Sequence, residues 1–192
     1  MTAVLQYNAG NIGSVRNALA RLGAEHLLTA DPALLRTADR VIIPGVGEAS
    51  SAVAYLKASG LDAVIRSLRQ PVLGICLGQQ LLCAHSEEND TECLGVFDTR
   101  VRRFPPRNKV PHIGWNSLRD TQGPLFREMK EEDVYFVHSY YCETDEHTAA
   151  TCDYILPFAA AMQRDNFYAT QFHPEKSAGV GAEILKNFLS LF

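Results

Sequence analysis

Val72-Leu-Gly-Ile-Cys-Leu-Gly78 decides how this chain is read. Val72 to Ile75 is a short apolar run behind Pro71, the pattern of a buried strand, and Leu77 to about His85 has helical character. Between them Gly74-Ile-Cys-Leu-Gly78 forms a glycine-x-nucleophile-x-glycine pattern, which joins a strand to a helix through a tight turn. Side chains at the two glycines would collide with the strained backbone. Such a turn pushes the Cys76 side chain out beyond the strand. The helix behind it points unpaired N–H groups at the sulfur, where they favour negative charge on a thiolate or an oxyanion. In open α/β sheets ligands also bind at this end of the strands. Taken alone, the segment also fits a small buried cysteine between close-packing glycines.

Working outward toward the N-terminus, Val4 to Tyr7 is a strand candidate, followed by the turn-rich Asn8 to Gly13. A helix is predicted from about Ser14, with Val15, Ala18, Leu19 and Leu22 on one face and Gly23 as its stop. His26 to Leu28 begins a second strand, and Asp31-Pro32 reads as a cap with proline in the first helical turn. Val41 to Ile43 is a third strand, ended by Pro44-Gly-Val-Gly47. A helix from about Glu48 to Ser59 closes at Gly60, and another precedes Pro71. This alternation predicts a parallel sheet with helices on both faces.

The second half changes character. Val134 to Tyr141 and Ala161 to Phe172 are β-rich, with a turn at Arg164-Asp-Asn166, and Ala182 to Phe192 has helical apolar spacing. The expectation is one domain over residues 1–192. It is of the α/β class, a mixed, mainly parallel sheet flanked by helices, with an antiparallel β extension.

The balance of the 192 residues excludes several classes. Hydrophobic residues make up 46%, enough for a full core, and the net charge is −4. The most basic stretch, Arg100 to Arg103 with Arg107 and Lys109, is short and reads as a solvated strand and loop, so no nucleic acid is expected as partner. No basic, apolar leader opens the chain and no apolar run approaches the ~20 residues of a membrane span, so no membrane association is expected. The five cysteines are odd in number and contain no Cys-x-x-Cys pair, which predicts free thiols, a cytoplasmic setting and no zinc site. Cys83, Cys93, Cys142 and Cys152 read as core or semi-exposed thiols. No metal or cofactor is expected.

Gln171-Phe-His-Pro-Glu175 is the second signal. A cysteine nucleophile needs a base within hydrogen-bond reach, and the base needs an orienting group. His173 can be the base. Glu175 follows across a rigid proline, where its carboxylate can reach the far imidazole nitrogen. His26, His85 and His147 have no such company and read as structural.

Gly74-Ile-Cys-Leu-Gly78 and His173-Pro-Glu175, in this order, resemble the class I, triad-type glutamine amidotransferases. Further segments run in order over essentially the whole chain. Tyr7 to Asn11, Ile43 to Glu48, Val110-Pro-His-Ile-Gly-Trp-Asn116, Tyr135 to Tyr140 and Gln171 to Ser177 are similar to the glutaminase subunits of imidazole glycerol phosphate synthase, in histidine biosynthesis. The resemblance implies that Cys76 attacks the carboxamide carbon of glutamine, that His173 moves the proton, and that Glu175 holds the imidazole. It implies an oxyanion hole from the N–H of Leu77 and one from Gly45-Val46-Gly47, and assigns the substrate's amino-acid end to Gln80, Ser139 and Tyr140. Asn11, Trp115, His138 and Lys176 match partner-interface positions. Ammonia is implied to pass to a cyclase subunit, a (β/α)8 barrel, in a heterodimer. The cyclase products are imidazole glycerol phosphate and the aminoimidazole carboxamide nucleotide.

One departure stands out: Gln79 occupies a position where the family usually has methionine, one step from Gln80 on another helix face. Which amide touches the ligand is left open. Three other readings compete with this one. They are a triad amidotransferase serving pyridoxal phosphate, anthranilate or guanine nucleotide synthesis, a non-catalytic docking subunit, and a cysteine hydrolase of the nucleophile-elbow type. Lys176-Ser177 and the Val110 to Asn116 stretch argue against the first. The intact Cys76, His173 and Glu175 argue against the second, and the His-Pro-Glu motif against the third. A glutaminase running without its acceptor would waste glutamine. Pro44-Gly-Val-Gly47 is therefore the candidate for a segment that keeps the oxyanion hole misassembled until the partner is loaded, because glycine lets a peptide flip at little steric cost.

Overall fold

The computed structural model describes residues 1–129 and 132–191; Phe192, the end of the expected terminal helix, lies outside the described residues. Four short strands, β1 (Thr2–Leu5), β2 (His26–Thr29), β3 (Arg40–Ile43) and β4 (Val72–Ile75), pair in parallel. Their continuous apolar runs follow from burial on both faces. Ala3, Leu5, Val41 and Ile43 pack toward Val53, Leu56, Leu61 and Ile65 on one side. Val4, Ile42, Leu73 and Ile75 pack toward Val15, Leu19, Ile184 and Phe188 on the other.

The covering helices are α1 (Ile12–Arg21), α2 (Pro32–Thr37), α3 (Ala49–Ala58), α4 (Leu61–Ser67), α5 (Leu77–Leu82) and α6 (Ala178–Leu189). Asp31 caps α2 by accepting from the Ala33 N–H at 2.7 Å, with Pro32 in the first turn as predicted. Glu48 caps α3 through the N–H groups of Ser50 and Ser51, both at 2.9 Å. The nucleophile helix α5 is shorter than its sequence suggests. Its last carbonyls are taken by the following loop, with Leu94 N–H on Leu81 at 2.8 Å and Val96 and Phe97 N–H on Leu82 at 2.8 and 2.9 Å. Helix α6 begins at Ala178, ahead of the expected Ala182.

Past α5 come β5 (His85–Ser86), β6 (Thr91–Glu92), β7 (Arg100–Arg103), β8 (His112–Ser117), β9 (Asp133–His138), β10 (Tyr140–Cys142), β11 (Thr148–Asp153), β12 (Pro157–Arg164) and β13 (Phe167–Thr170). The β12–β13 hairpin turns at Asp165 and Asn166, as predicted, and β13 docks parallel to β4. The large sheet runs β11-β12-β13-β4-β3-β1-β2, parallel from β13 onward with an antiparallel extension.

Val134 to Tyr141, read as one β-rich run, is two strands. β9 pairs with β8 in a separate ribbon, and β10 pairs with β7 in a four-stranded sheet. The chain changes partner at Ser139, whose carbonyl accepts from the Phe104 N–H at 3.0 Å.

The elbow glycines are required by contact. A Cβ on Gly78 would stand 2.1 Å from the Ile43 carbonyl oxygen, a backbone atom that cannot yield. A Cβ on Gly13, in the first turn of α1, meets nothing within 4 Å. Chemical denaturation should therefore find Gly78→Ala destabilised by more than about 2 kcal/mol, while Gly13→Ala gains roughly 0.5–1 kcal/mol.

Candidate active site

β13, β4 and β3 lie side by side in the large sheet, and the segments leaving their ends build the site. Beyond β4 the backbone turns at Cys76, with φ 54° and ψ −104°. A side chain held there costs on the order of 1–3 kcal/mol. The turn is held by the Cys76 N–H on the Thr170 carbonyl at 2.7 Å, and by the Gln79 and Gln80 N–H groups on the Cys76 carbonyl at 3.0 and 3.3 Å. The Cys76 residue is 6% exposed, at the floor of a cleft.

Beyond β13 the chain runs through Gln171 and Phe172 to His173 and a short 3-10 turn, Pro174–Lys176. His173 Nδ1 lies 2.7 Å from Glu175 Oε1. The His173 N–H donates to the Tyr135 carbonyl at 3.0 Å, so ribbon strand β9 fixes the base from the other side. Nε2 of His173 has no hydrogen-bond partner among the described residues. Burial acts to lower the His173 pKa, but the neighbouring Cys76 and Glu175 outweigh it and push it up to about 10.

Asn11, expected at the partner interface, lies beside the Glu175 carboxylate. It is half-buried, with a left-handed backbone at φ 70°, and its Nδ2 donates to Glu175 Oε1 and lies 3.4 Å from His173 Nδ1. It therefore helps to hold the Glu175 carboxylate against His173.

The Pro44–Gly47 segment leaves β3 beside the nucleophile. Each of its first three carbonyls is engaged. Tyr7 Oη donates to Pro44 at 2.7 Å, Leu77 N–H to Gly45 at 3.2 Å and Gly10 N–H to Val46 at 2.9 Å. The Leu77 N–H is thus already occupied by a protein carbonyl. Burial and, secondarily, the charge of Cys76 raise the Tyr7 hydroxyl well above its usual range, so it stays a donor.

The cleft over Cys76 encloses about 290 Å³, and Val46, Gly47, Leu77, Gln80, Ser139 and Tyr140 all line it. Glu88 and Val137 line it too. Sequence reasoning missed both, because nothing marks Glu88 within the acidic run Ser86 to Asp90. Desolvation raises the Glu88 pKa. The two neighbouring amides separate cleanly. Gln79 is fully buried with Nε2 on the Ala159 carbonyl at 3.0 Å, away from the cleft. Gln80 reaches the cleft, with Nε2 on the Tyr140 carbonyl at 3.1 Å and on Gln171 Oε1 at 3.0 Å.

Of the remaining interface candidates, Trp115 is 53% exposed on β8, beside Ile113 at 55%, and Lys176 is exposed next to the triad. His138 is turned inward instead. Its Nε2 lies 3.0 Å from His112 Nδ1, and its Nδ1 lies 2.7 Å from the Tyr140 carbonyl. Asn116 sets the tautomers of this pair. Its Nδ2 donates to the Asp153 carbonyl at 2.9 Å and faces His112 Nε2 at 3.3 Å. His112 therefore accepts at Nε2 and carries its proton on Nδ1. His138 in turn accepts at Nε2 and donates from Nδ1 to Tyr140. The four other cysteines are buried; burial pushes the Cys93 and Cys152 thiols up to about 12.

Burial holds His112 at about 4 and His138 at about 3, against an ordinary 6.5. As pH falls below 6.5, the unfolded chain binds protons that these rings refuse, so stability drops toward pH 4. The raised His173 acts oppositely: its contribution is complete below 6.5 and is lost as pH climbs through 10. In urea unfolding across the acid limb, His138→Gln should reduce the slope of stability against pH by up to about 1.4 kcal/mol per pH unit, one proton's worth.

Known proteins resemble this chain over nearly its full length. The family model described as glutamine amidotransferase class-I matches residues 5–191. The imidazole glycerol phosphate synthase subunit HisH of Bacteroides fragilis (strain YCH46) is 58% identical, over 98% of this chain and 98% of its own length. Subunit HisH 2 of the same synthase from Legionella pneumophila (strain Paris) is 45% identical, over 100% of this chain and 98% of its own. A crystal structure of a glutamine amidotransferase superposes with a TM-score of 0.76 at 20% identity, covering 97% of this chain and 96% of that one, which is agreement in fold. The elbow at Cys76, the His-Pro-Glu turn beside it and these matches over nearly the full length place the chain in one family: it belongs to the class-I glutamine amidotransferases, among the HisH subunits of imidazole glycerol phosphate synthase.

Proposed function

We propose that this chain hydrolyses glutamine to glutamate and ammonia with Cys76, His173 and Glu175, and hands the ammonia to a cyclase subunit in histidine biosynthesis, in the cytoplasm. The observation that carries this reading is the side-by-side order of β13, β4 and β3, which brings His173, Cys76 and the Gly45–Val46 peptide to the same end of the sheet. Cys76 Sγ adds to the carboxamide carbon of glutamine as its proton passes to His173 Nε2. His173 returns that proton to the departing nitrogen, and ammonia leaves a thioester on Cys76. Water, deprotonated by the same imidazole, then releases glutamate and restores the thiol. Glu175, held by Asn11, keeps the imidazole proton on Nδ1 and the reactive nitrogen toward the sulfur.

The substrate's amino-acid end occupies the cleft beside Ser139 and Tyr140, with Gln80 at its wall. Glu88 offers a carboxylate to the substrate ammonium from the same cleft. In the state described, the Gly45 carbonyl occupies the Leu77 N–H that an oxyanion needs. Turning the Gly45–Val46 peptide would free that donor and add the Val46 N–H, and the glycine permits the rotation. Docking of the cyclase on the face bearing Trp115, Ile113 and Lys176 would supply the differential contacts that shift the population.

Mixed with the cyclase, its nucleotide ligand and glutamine, the chain should release glutamate. Cys76→Ala should lower glutamine-driven turnover by roughly 10³-fold or more while cyclase turnover on ammonium salts persists; continued glutamate release by that variant removes Cys76 from the mechanism. Val46→Pro deletes one N–H donor and should cost about 10²–10³-fold in glutamate formation by the loaded complex. An unchanged rate would assign the oxyanion hole elsewhere.

A further inference from the structure

Gln171 is fully buried at the end of β13, two residues before the base. Its side-chain amide bridges the nucleophile and the cleft wall. Nε2 lies 3.6 Å from Cys76 Sγ, and Oε1 accepts from Gln80 Nε2 at 3.0 Å. The two ends of an amide do opposite things, so which end faces the sulfur matters.

The surrounding network settles the orientation. A backbone carbonyl can only accept, so the end of Gln80 that meets the Tyr140 oxygen at 3.1 Å is its NH₂. The same nitrogen meets Gln171 at 3.0 Å, so that end of Gln171 is its oxygen. Only the NH₂ of Gln171 is left for the sulfur. Turning either amide would set donor against donor or acceptor against acceptor in a buried site, with a full desolvation penalty. His138 delivers its Nδ1 proton to the same Tyr140 carbonyl at 2.7 Å, so donors converge there from both sides.

We infer that Gln171 is a further catalytic residue, an N–H donor fixed on the Cys76 sulfur that stabilises its anionic form. The inference deepens the glutaminase reading and rests on Cys76 as its nucleophile. The neutral thiol has its own acceptor, the Val137 carbonyl at 3.9 Å. When the thiol proton moves to His173 Nε2, the sulfur loses that bond and gains charge. The Gln171 hydrogen bond then becomes charge-assisted, roughly twice as strong as a neutral one. Gln171 transfers no proton. The bond weakens again when the sulfur becomes a neutral thioester, so the amide favours the attacking form and the departure of glutamate alike.

The test uses the complex with the cyclase and two variants. Gln171→Glu keeps an acceptor for Gln80 but sets a carboxylate oxygen against the sulfur. Gln171→Met keeps the length and removes the donor without adding charge. The titratable groups facing Cys76 are His173, with Glu175 behind it, Tyr7, and Glu88 and His138 along the same cleft, and both variants leave them in place. Iodoacetamide labelling of the Cys76 peptide, read by mass spectrometry against pH, should shift its midpoint upward by about one pH unit in Gln171→Met and further in Gln171→Glu. Glutaminase kcat should fall roughly tenfold in the first and more in the second, with KM within about twofold and cyclase turnover on ammonium salts unchanged. A labelling midpoint that stays at the wild-type value in both variants reduces Gln171 to packing and overturns the inference. Failure of the wild-type complex to release glutamate would strike the glutaminase reading instead, while the labelling profile still decides the role of Gln171.

Discussion

The 2.7 Å hydrogen bond from the Cys76 N–H to the Thr170 carbonyl ties the end of β4 to the end of β13 at the point where both strands stop. Everything in the site takes its position from that closure. It fixes a strained nucleophile backbone against the strand that leads to Gln171 and His173, residues 95 and 97 positions further along the chain. On the other side the register of β3 with β4, Ile43 opposite Gly74, brings Pro44–Gly47 alongside. A parallel sheet is well suited to this, because neighbouring strands all end on one edge and each can contribute one part of a reaction.

The site holds Cys76, His173 and Glu175 close together beside a Leu77 N–H that already has a carbonyl partner. His173 and Glu175 are in contact, Asn11 braces the carboxylate, and β9 holds the base through its backbone. Meanwhile the Gly45 carbonyl sits on the Leu77 N–H, and Tyr7 and Gly10 hold the carbonyls on either side of it. The His173 segment and the Pro44–Gly47 segment leave different strands, β13 and β3, so a change confined to the β3 loop need not disturb the contacts that hold His173.

Three buried histidines show how environment divides one residue type into two roles. His112 and His138 face each other and an aromatic cluster around Phe104, Phe136 and Phe158, and burial keeps them neutral. His173 is equally enclosed, but the neighbouring Cys76 and Glu175 push its pKa up against the effect of burial. The neutral pair fixes hydrogen-bond direction from Asn116 to the Tyr140 carbonyl, whereas His173 keeps Nδ1 on Glu175 and its Nε2 free of any partner among the described residues.

The local features were legible in the residues themselves. The β4 run, the glycine-flanked elbow, the Asp31-Pro32 cap, the turn at Asp165 and Asn166 and the His-Pro-Glu corner all depend on neighbours a few positions apart, so short-range pattern suffices. The division of Val134 to Tyr141 into strands of two sheets was hidden, because only the partners β8 and β7, distant in sequence, tell the two halves apart. The early stop of α5 was hidden for the same reason, since loop N–H groups past Cys93 take its carbonyls. Asn11 on Glu175, His138 turned inward, Glu88 in the cleft and Gln171 on the sulfur all join residues far apart along the chain. A sequence can specify a reactive thiol and its base through local spacing. Which amide faces that thiol, and which carbonyl fills its oxyanion donor, is set by the packing of separate strands and only the tertiary structure decides it.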